Sequence, residues 1–326
     1  MFKGRYARLA EVSAQSKEGR MLYPLNKMAV LGLVVMALCT GLWTAQVQAS
    51  PKGQKKMHAS SQHHEVLPDS SAALAARLAS DAVFVQDVDS GAALLSKDPR
   101  TARPIASISK LMTAMVVLDA RQSLSERLKV TDEDVDRLKF SSSKLDVGAE
   151  LSRSEMLRLA LMASENRAAH ALARTYPGGV PAFVAAMNHK AKSLGLKATY
   201  FGDPTGLNPK NVASPEDLAR LVQEASKYPL IRRYSTEAES KVDVVSAKKV
   251  FHNTNPLVSH GLLDVVLQKT GYIAEAGRCL VMQAFINHRA TRIVLLNAEH
   301  SEARLQDALT IKRWLEKPRH PVRTKA

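Results

Sequence analysis

Three short motifs in this chain carry side chains that could together form a covalent intermediate with a substrate. In chain order they read Ser107-Ile108-Ser109-Lys110, Ser164-Glu165-Asn166 and Lys269-Thr270-Gly271. A serine hydroxyl is a poor nucleophile unless a base takes its proton, and a lysine that has lost its own proton can be that base. The residue types and their order therefore predict nucleophilic serine chemistry.

The Ser-x-x-Lys pattern occurs more than once, and its setting distinguishes the first occurrence. Ser107 lies in an apolar run, 105–118, whose spacing predicts a buried helix. Helix spacing places Lys110 on the same face as Ser107, near the positive end of the helix. By contrast, Ser141 lies in a polar loop and Ser246 in a strand-like segment, where residues three apart face away from each other. Ser107 is therefore the predicted nucleophile and Lys110 its base.

Lys110 must lose its proton before it can act as a base. An unperturbed lysine has a pKa near 10.4, so only about one molecule in 2,500 is neutral at pH 7. Burial and a neighbouring cation both lower a lysine pKa, and the apolar neighbours of Lys110 indicate burial. Lys269 is the predicted neighbouring cation.

The second and third motifs supply groups that could bind a substrate and move protons. Ser164 and Asn166 stand one residue apart between two predicted helices, so they are either a proton relay and an amide-binding side chain or simple helix caps. The presence of the other motifs favours the first interpretation. Lys269 and Thr270 offer a cation and a hydroxyl to a carboxylate, and Gly271 would let a substrate peptide lie close to the strand.

A mixed arrangement of strands and helices must position these motifs. The strand-like segments are 83–88, 92–95, 263–270, 278–286 and 291–298, and the first two and the last two are each predicted to form a hairpin. A helical stretch with a capping box at Ser152-Arg153-Ser154-Glu155 lies between them, and a last helix follows at 301–315. Strands at both ends predict an α/β (α+β) fold, in which helices flank an antiparallel five-stranded sheet and an all-helical lobe is inserted.

The N-terminal end of the chain predicts export. A basic start, the apolar stretch 28–43 and the small-residue site Val47-Gln48-Ala49 are typical of a cleaved signal peptide, 1–49. An uncleaved membrane anchor is the alternative, although this apolar stretch is short for a span of about 20 residues.

The rest of the chain is predicted to hold one folded domain between polar ends. We expect a disordered linker at 50–78, one domain at 79–317 with its helical lobe at about 125–235, and a basic tail at 318–326 without the apolar face of a stable membrane anchor. The net charge of +15 favours an anionic polymer as partner, and export argues against nucleic acid. Cys279 is predicted to be a buried strand cysteine, and neither a metal nor a cofactor is expected.

The three motifs and the segment Phe201-Gly202-Asp203-Pro204-Thr205-Gly206-Leu207-Asn208 resemble those of the low-molecular-mass penicillin-binding proteins. These are serine D,D-peptidases that share a fold with class A β-lactamases. The resemblance runs from about Val83 to Trp314 and is closest to the D-alanyl-D-alanine endopeptidases of the penicillin-binding protein 7 type. It implies peptidoglycan peptide stems as substrates and β-lactams as covalent inhibitors, and the predicted signal peptide indicates a periplasmic location.

The resemblance also implies a role for each motif residue. Ser107 would be the nucleophile, Lys110 the base and Ser164 the proton relay, while the substrate binders would be Asn166, Lys269 and Thr270. The backbone N–H groups of Ser107 and Tyr272 would form the oxyanion hole. Tyr272 departs from the family pattern because its side chain is bulky.

Several kinds of protein share these motifs, and other residues of the chain distinguish them. Within the family, the endopeptidase would cut D-Ala–diaminopimelate cross-links, and the alternative is a D-alanyl-D-alanine carboxypeptidase that uses the same site. A class A β-lactamase would need a Glu-x-x-Leu-Asn loop, and the nearest segment, 215–219, lacks the Asn. A non-catalytic wall-binding module would not require the intact Ser107 and Lys110 pair.

Overall fold

A computed structural model describes residues 70–244 and 247–317 of the chain. The helices are α1 (Ser71–Arg77), α2 (Lys110–Asp119), α3 (Arg153–Met162), α4 (Asn166–Arg174), α5 (Gly179–Ser193), α6 (Pro215–Ala225), α7 (Pro229–Thr236), α8 (Pro256–Ser259) and α9 (Ser301–Glu316). The strands are β1 (Ala82–Asp87), β2 (Ala93–Lys97), β3 (Arg103–Pro104), β4 (Arg127–Lys129), β5 (Glu150–Ser152), β6 (Val212–Ala213), β7 (Glu239–Val244), β8 (Ala247–His252), β9 (Asp264–Ile273), β10 (Gly277–Ile286) and β11 (Arg289–Ala298). The predicted signal peptide, the basic tail and Ser246 lie outside the described residues.

The central sheet has five strands in the order β2-β1-β11-β10-β9, and every neighbouring pair is antiparallel. Strands from the two ends of the domain meet where Phe84 of β1 lies opposite Val294 of β11. This confirms the predicted antiparallel sheet built from distant segments. β9, which carries the Lys269-Thr270-Gly271 motif, is an edge strand, so one side of its backbone faces away from the sheet.

Each face of the sheet packs against a different layer because strand side chains alternate in direction. Val83 and Val85 of β1 join a core that also contains Leu74 of α1 and Ile311 of α9. Phe84 belongs to the larger core on the other face, which includes the apolar side chains of α2 and of the helices that follow it. The sheet therefore lies between two helical layers.

The helical segment between β4 and α7 forms as its sequence predicts. The Ser152–Glu155 capping box is present at the start of α3, and α6 begins with Pro215 in its first turn. A short ladder of β4 and β5 also lies in this segment. Within the part of the chain that the structure describes, every helix is too short or too polar to cross a membrane.

Helix α1 lies inside the range 50–78 that was predicted to be a disordered linker, and this part of the prediction is wrong. Leu74 and Leu78 are buried, and Asp307 of α9 accepts hydrogen bonds from the backbone N–H groups of Ala79 and Ser80. The polar composition of the preceding residues concealed this apolar stripe. Helix α1 is therefore part of the packed domain.

Candidate active site

Ser107 lies in a tight 3₁₀ turn, Ala106–Ser109, that leads directly into α2. Ala106 has a left-handed φ of 48°, a conformation that costs a non-glycine residue about 1–3 kcal/mol. A Cβ atom on Gly206 would lie 2.0 Å from the carbonyl oxygen of Ala106, and one on Gly271 would lie 2.7 Å from that of Ile105. Two glycines thus let a loop and the edge strand close on the turn that holds Ser107.

This packing corrects the predicted reason for Gly271. From the sequence, the missing side chain is expected to make room for a substrate peptide. In the structure, the space that a Cβ would fill is occupied by the backbone of Ile105, with the nitrogen of Ser107 3.2 Å away. Gly271 therefore brings β9 against the nucleophile itself.

Lys110 is fully buried, and its nitrogen contacts three oxygen atoms. Nζ lies 2.8 Å from Ser107 Oγ, 2.7 Å from Asn166 Oδ1 and 2.6 Å from the carbonyl oxygen of Thr205. Three acceptors match the three hydrogens of an ammonium group. When Lys110 is neutral, the same 2.8 Å contact would let the Ser107 hydroxyl donate its proton to the amine.

Burial lowers the pKa of Lys110 to about 8, against a smaller opposing effect of the nearby carboxylates Asp203, Glu165 and Asp136. About one molecule in ten is then neutral at pH 7, compared with one in 2,500 for an unperturbed lysine. The predicted adjustment of this lysine toward a base is therefore present, and burial is its main cause.

Ser164 and Lys269 form a second serine–lysine pair. Lys269 is fully buried, and its Nζ donates to Ser164 Oγ at 2.8 Å and to the carbonyl oxygen of Thr270 at 2.9 Å. Ser164 has a left-handed φ of 60°, so its backbone is strained where α3 gives way to α4.

Electrostatic repulsion between the two lysines makes it unfavourable for both to be protonated at once. Burial, and then repulsion from Lys110 and Arg304, hold the pKa of Lys269 well below its usual value. Carboxylates lie near Lys110, whereas the charged groups that act on Lys269 are cations. The sequence predicts Lys269 as a cation near Lys110, but it does not predict Arg304, which a distant segment contributes.

Asn166 is held in one orientation by partners on both sides of its amide. Its Oδ1 accepts from Lys110, and its Nδ2 donates to Ser141 Oγ at 2.8 Å. Asp136 in turn accepts from the hydroxyl of Ser141 at 2.6 Å and from its backbone N–H at 2.8 Å. A continuous set of hydrogen bonds therefore runs from Asp136 to Ser107.

The edge strand supplies the opposite wall of the site. Thr270 is largely buried, and its hydroxyl lies 2.5 Å from the hydroxyl of Thr254. The ring of Tyr272 is half exposed and stacks on the guanidinium of Arg278, 3.6 Å from the ring centroid. The place of Tyr272 just after Gly271 is consistent with the predicted oxyanion hole, which remains a prediction.

These walls enclose a cleft of about 500 Å³. Its lining includes the predicted residues Ser107, Ser164, Asn166, Thr270, Gly271 and Tyr272. Sequence reasoning missed other residues that line it, namely Ser141, Thr254, Arg278, Ser301 and Arg304. Lys139 and Glu275 form an ion pair at 2.5 Å between the loop that contains Ser141 and the turn after β9. The cleft therefore combines an activated serine with a strongly cationic end.

Cys279 lies on β10 with its side chain buried, as predicted. Burial raises the pKa of its thiol to about 11, so the thiolate is scarce at neutral pH. A thiol with this protonation state is a poor nucleophile.

Comparison with known proteins gives the same family as the motifs. The sequence profile of the D-alanyl-D-alanine carboxypeptidases, peptidase family S11, matches residues 69–300. A D-alanyl-D-alanine endopeptidase of Pseudomonas aeruginosa is 41% identical over 289 residues, which cover 88% of this chain and 88% of that protein. The D-alanyl-D-alanine endopeptidase of Escherichia coli K12 is 44% identical over 241 residues, or 73% of this chain and 78% of that protein.

The fold has a matching solved structure. The crystal structure of the Streptomyces K15 DD-transpeptidase superposes with a TM-score of 0.68 and 27% identity, covering 73% of this chain and 97% of that chain. The fold, the three motifs and the sequence matches agree, and this chain belongs to the D-alanyl-D-alanine carboxypeptidase family of serine peptidases, family S11.

Proposed function

We propose that this chain is a serine D,D-endopeptidase that hydrolyses D-Ala–diaminopimelate cross-links of peptidoglycan through an acyl-enzyme, and that β-lactams acylate it covalently. The observation that carries the proposal is the 2.8 Å contact between Ser107 Oγ and Lys110 Nζ, with Lys110 buried and its pKa lowered to about 8. The relatives named D-alanyl-D-alanine endopeptidase support the choice of reaction.

Substrate binding begins at the cationic end of the cleft. The carboxylate next to the scissile amide binds at Lys269 and Thr270, and the negative charge favours the protonated form of Lys269. A charged Lys269 repels the proton on Lys110, because the two lysines interact electrostatically.

Acylation begins with a proton transfer from Ser107 to Lys110. Neutral Lys110 accepts the proton of Ser107, whose oxygen attacks the carbonyl carbon of D-Ala. The negative oxygen is stabilised by the backbone N–H groups of Ser107 and Tyr272. The C–N bond breaks, and the proton held by Lys110 passes by way of Ser164 to the leaving amine, which leaves Lys110 neutral. A water molecule then gives a proton to Lys110 as its oxygen bonds to the acyl carbon, and Lys110 returns that proton to Ser107 as the ester bond breaks. Asn166 holds a substrate amide during these steps.

A D-alanyl-D-alanine carboxypeptidase is the second candidate, because the description of the matched family names that activity. In both reactions the leaving group carries a carboxylate beside the scissile amide, so Lys269 and Thr270 can bind it in either case. A β-lactamase is disfavoured, since Glu216, the glutamate of segment 215–219, pairs with Arg100 and is absent from the cleft lining. We also propose that the enzyme acts in the periplasm after cleavage of the signal peptide.

Purified muropeptides separate the two main candidates. The protein should cleave a cross-linked tetrapeptide–tetrapeptide dimer into monomers, and mass spectrometry of the products should show it. Ser107→Ala should abolish that cleavage. Release of terminal D-Ala from a monomeric pentapeptide without dimer cleavage would contradict the endopeptidase assignment, and dimer cleavage by Ser107→Ala would contradict the mechanism.

A further inference from the structure

Two arginines line the cationic end of the cleft and have no role in the steps above. Arg278 is half-buried on β10, and Arg304 is buried on α9. Within the described ranges, neither has a carboxylate at ion-pair distance, although Arg304 donates to the carbonyl oxygen of Cys279 at 3.1 Å. Arg278 Nε is buried and has no hydrogen-bond partner there. An unpaired buried donor of this kind is costly unless a ligand satisfies it.

The fold holds Arg278 in a defined position. Tyr272 and Arg278 are directly opposite on the antiparallel strands β9 and β10, so their side chains lie on one face. The guanidinium stacks on the ring, which leaves its terminal N–H groups available to a carboxylate. Ser301, the first residue of α9, lines the same region and brings the positive end of that helix to the cleft.

The position of these groups relative to Lys269 indicates which part of a substrate they meet. Arg304 is close enough to Lys269, and Arg278 to Arg304, for each pair to repel. The row of cations therefore extends from Lys269, where the carboxylate next to the scissile amide binds, to Arg304 and Arg278. The leaving group of a cross-linked dimer is a whole stem peptide with further carboxylates, whereas the leaving group of a pentapeptide is D-Ala, which has one.

We propose that Arg278, held against Tyr272, binds a carboxylate of the leaving stem peptide beyond the one next to the scissile amide. This contact would favour cross-linked over monomeric substrates. The inference rests on the proposed D,D-peptidase function and deepens it. It also gives the bulky Tyr272 a purpose, because a smaller residue at that position would not support the guanidinium.

Arg278→Gln tests the proposal with three readouts: dimer cleavage, D-Ala release from a monomeric pentapeptide, and acylation by benzylpenicillin. We expect kcat/KM for the dimer to fall about tenfold, as for the loss of one charge-assisted hydrogen bond, and the other two rates to change less than about twofold. Arg313→Gln removes the same charge from an exposed position farther along α9 and should leave all three unchanged.

A modified substrate identifies the group that Arg278 meets. When the more distant carboxylates of the leaving stem are converted to amides, wild type should lose about tenfold on the dimer and Arg278→Gln should lose little more. Full dimer cleavage by Arg278→Gln would overturn the inference, and so would an equal loss in all three readouts. If the wild-type protein leaves the dimer intact, the proposed function is overturned as well. The wild-type protein is therefore assayed before any variant.

Discussion

Ser107 is the residue at which a covalent adduct should form. Its hydroxyl is the one that contacts Lys110, and its turn is fixed by Gly206 and Gly271. After incubation with benzylpenicillin, mass spectrometry of the digested protein should find a single adduct on the peptide that contains Ser107. Class A β-lactamases use a glutamate to activate the water that hydrolyses the acyl-enzyme. The residues that line the cleft include no glutamate, so we expect the adduct to last for minutes or longer.

Two serine variants control that experiment. Ser107→Ala should give no adduct. Ser142→Ala changes an exposed serine of the nearby loop and should be labelled like wild type. An adduct on any other serine, or labelling of Ser107→Ala, would contradict the assignment.

The rate of acylation should rise with pH because Lys110 acts in its neutral form. Its pKa is lowered to about 8, so the neutral fraction increases about fivefold between pH 7 and pH 8 and then levels off. The second-order rate constant for a fluorescent penicillin reports this ionisation in the free protein. A rate constant that stays flat from pH 6 to pH 9 would show that Lys110 is not the base.

Arginine substitutions separate the two lysines in the same assay. Lys110→Arg should reduce acylation by at least about a hundredfold, since arginine cannot be deprotonated. Lys269→Arg retains a cation for the inhibitor carboxylate, although the larger group must fit a fully buried position, and should keep part of the activity. Equal losses would contradict the division of roles.

At the scale of single residues, the sequence predicts which motif residues belong to the site, but it does not predict which other residues they contact. The spacing of Ser107 and Lys110 is local, so one helical turn is enough to place them together. In the sequence, Ser141 stands out only as a rival to Ser107, yet it lies in the cleft as the partner of Asn166. Its contact joins residues 25 apart through a loop whose path is fixed by Asp136, and no local pattern encodes that path.

Among the elements, the contact between β9 and the Ser107 turn should be sensitive to a single methyl group. Gly271→Ala places a Cβ 2.7 Å from the carbonyl oxygen of Ile105, so the strand or the turn must shift. We expect a loss of stability of about 1–3 kcal/mol and a fall in acylation of more than about tenfold. Thermal unfolding and penicillin acylation measure the two effects.

Gly261→Ala is the matched control for Gly271→Ala. Gly261 has a left-handed φ of 62° but no atom near its missing side chain, so alanine should reduce stability and spare acylation. If both variants acylate like wild type, the close approach of β9 is not needed for reactivity.

The loop from Asp136 to Ser141 should act by orienting Asn166. Ser141→Ala removes the acceptor of Asn166 Nδ2, so the amide is free to turn its oxygen away from Lys110. We expect acylation to fall about five- to tenfold, with an unchanged melting temperature and a shifted pH dependence. Ser142→Ala should show neither change, and a Ser141→Ala protein with wild-type rates and pH profile would exclude a positioning role.

Elements with strong local signals were predicted, and those with weak signals were missed. The capping box at Ser152, the β10–β11 hairpin and the final helix all appear where the sequence indicates them. Helix α1 has only seven residues and one large apolar side chain, Leu74, so its structure depends on packing against the sheet and on Asp307. Such tertiary dependence is invisible in a local pattern.

For the whole molecule, we predict a periplasmic protein that binds acidic surfaces loosely. N-terminal sequencing of the exported protein should begin at Ser50, after the cleavage site Val47-Gln48-Ala49. The high positive charge should hold some protein on membranes and cell wall at low salt, and moderate salt should release it because surface charges are screened. Full-length chain that requires detergent for extraction would contradict cleavage.

The turn that holds Ser107 also has a consequence for the timing of activity during biogenesis. Its contacts join residues 98 apart at Thr205, and the second serine–lysine pair joins residues 105 apart. Such long-range contacts form late, because closing large loops has a high entropic cost. The chain therefore lacks a reactive serine until nearly the whole domain is folded. A nascent or translocating chain should be inert to penicillin, and the appearance of labelling should coincide with completion of folding.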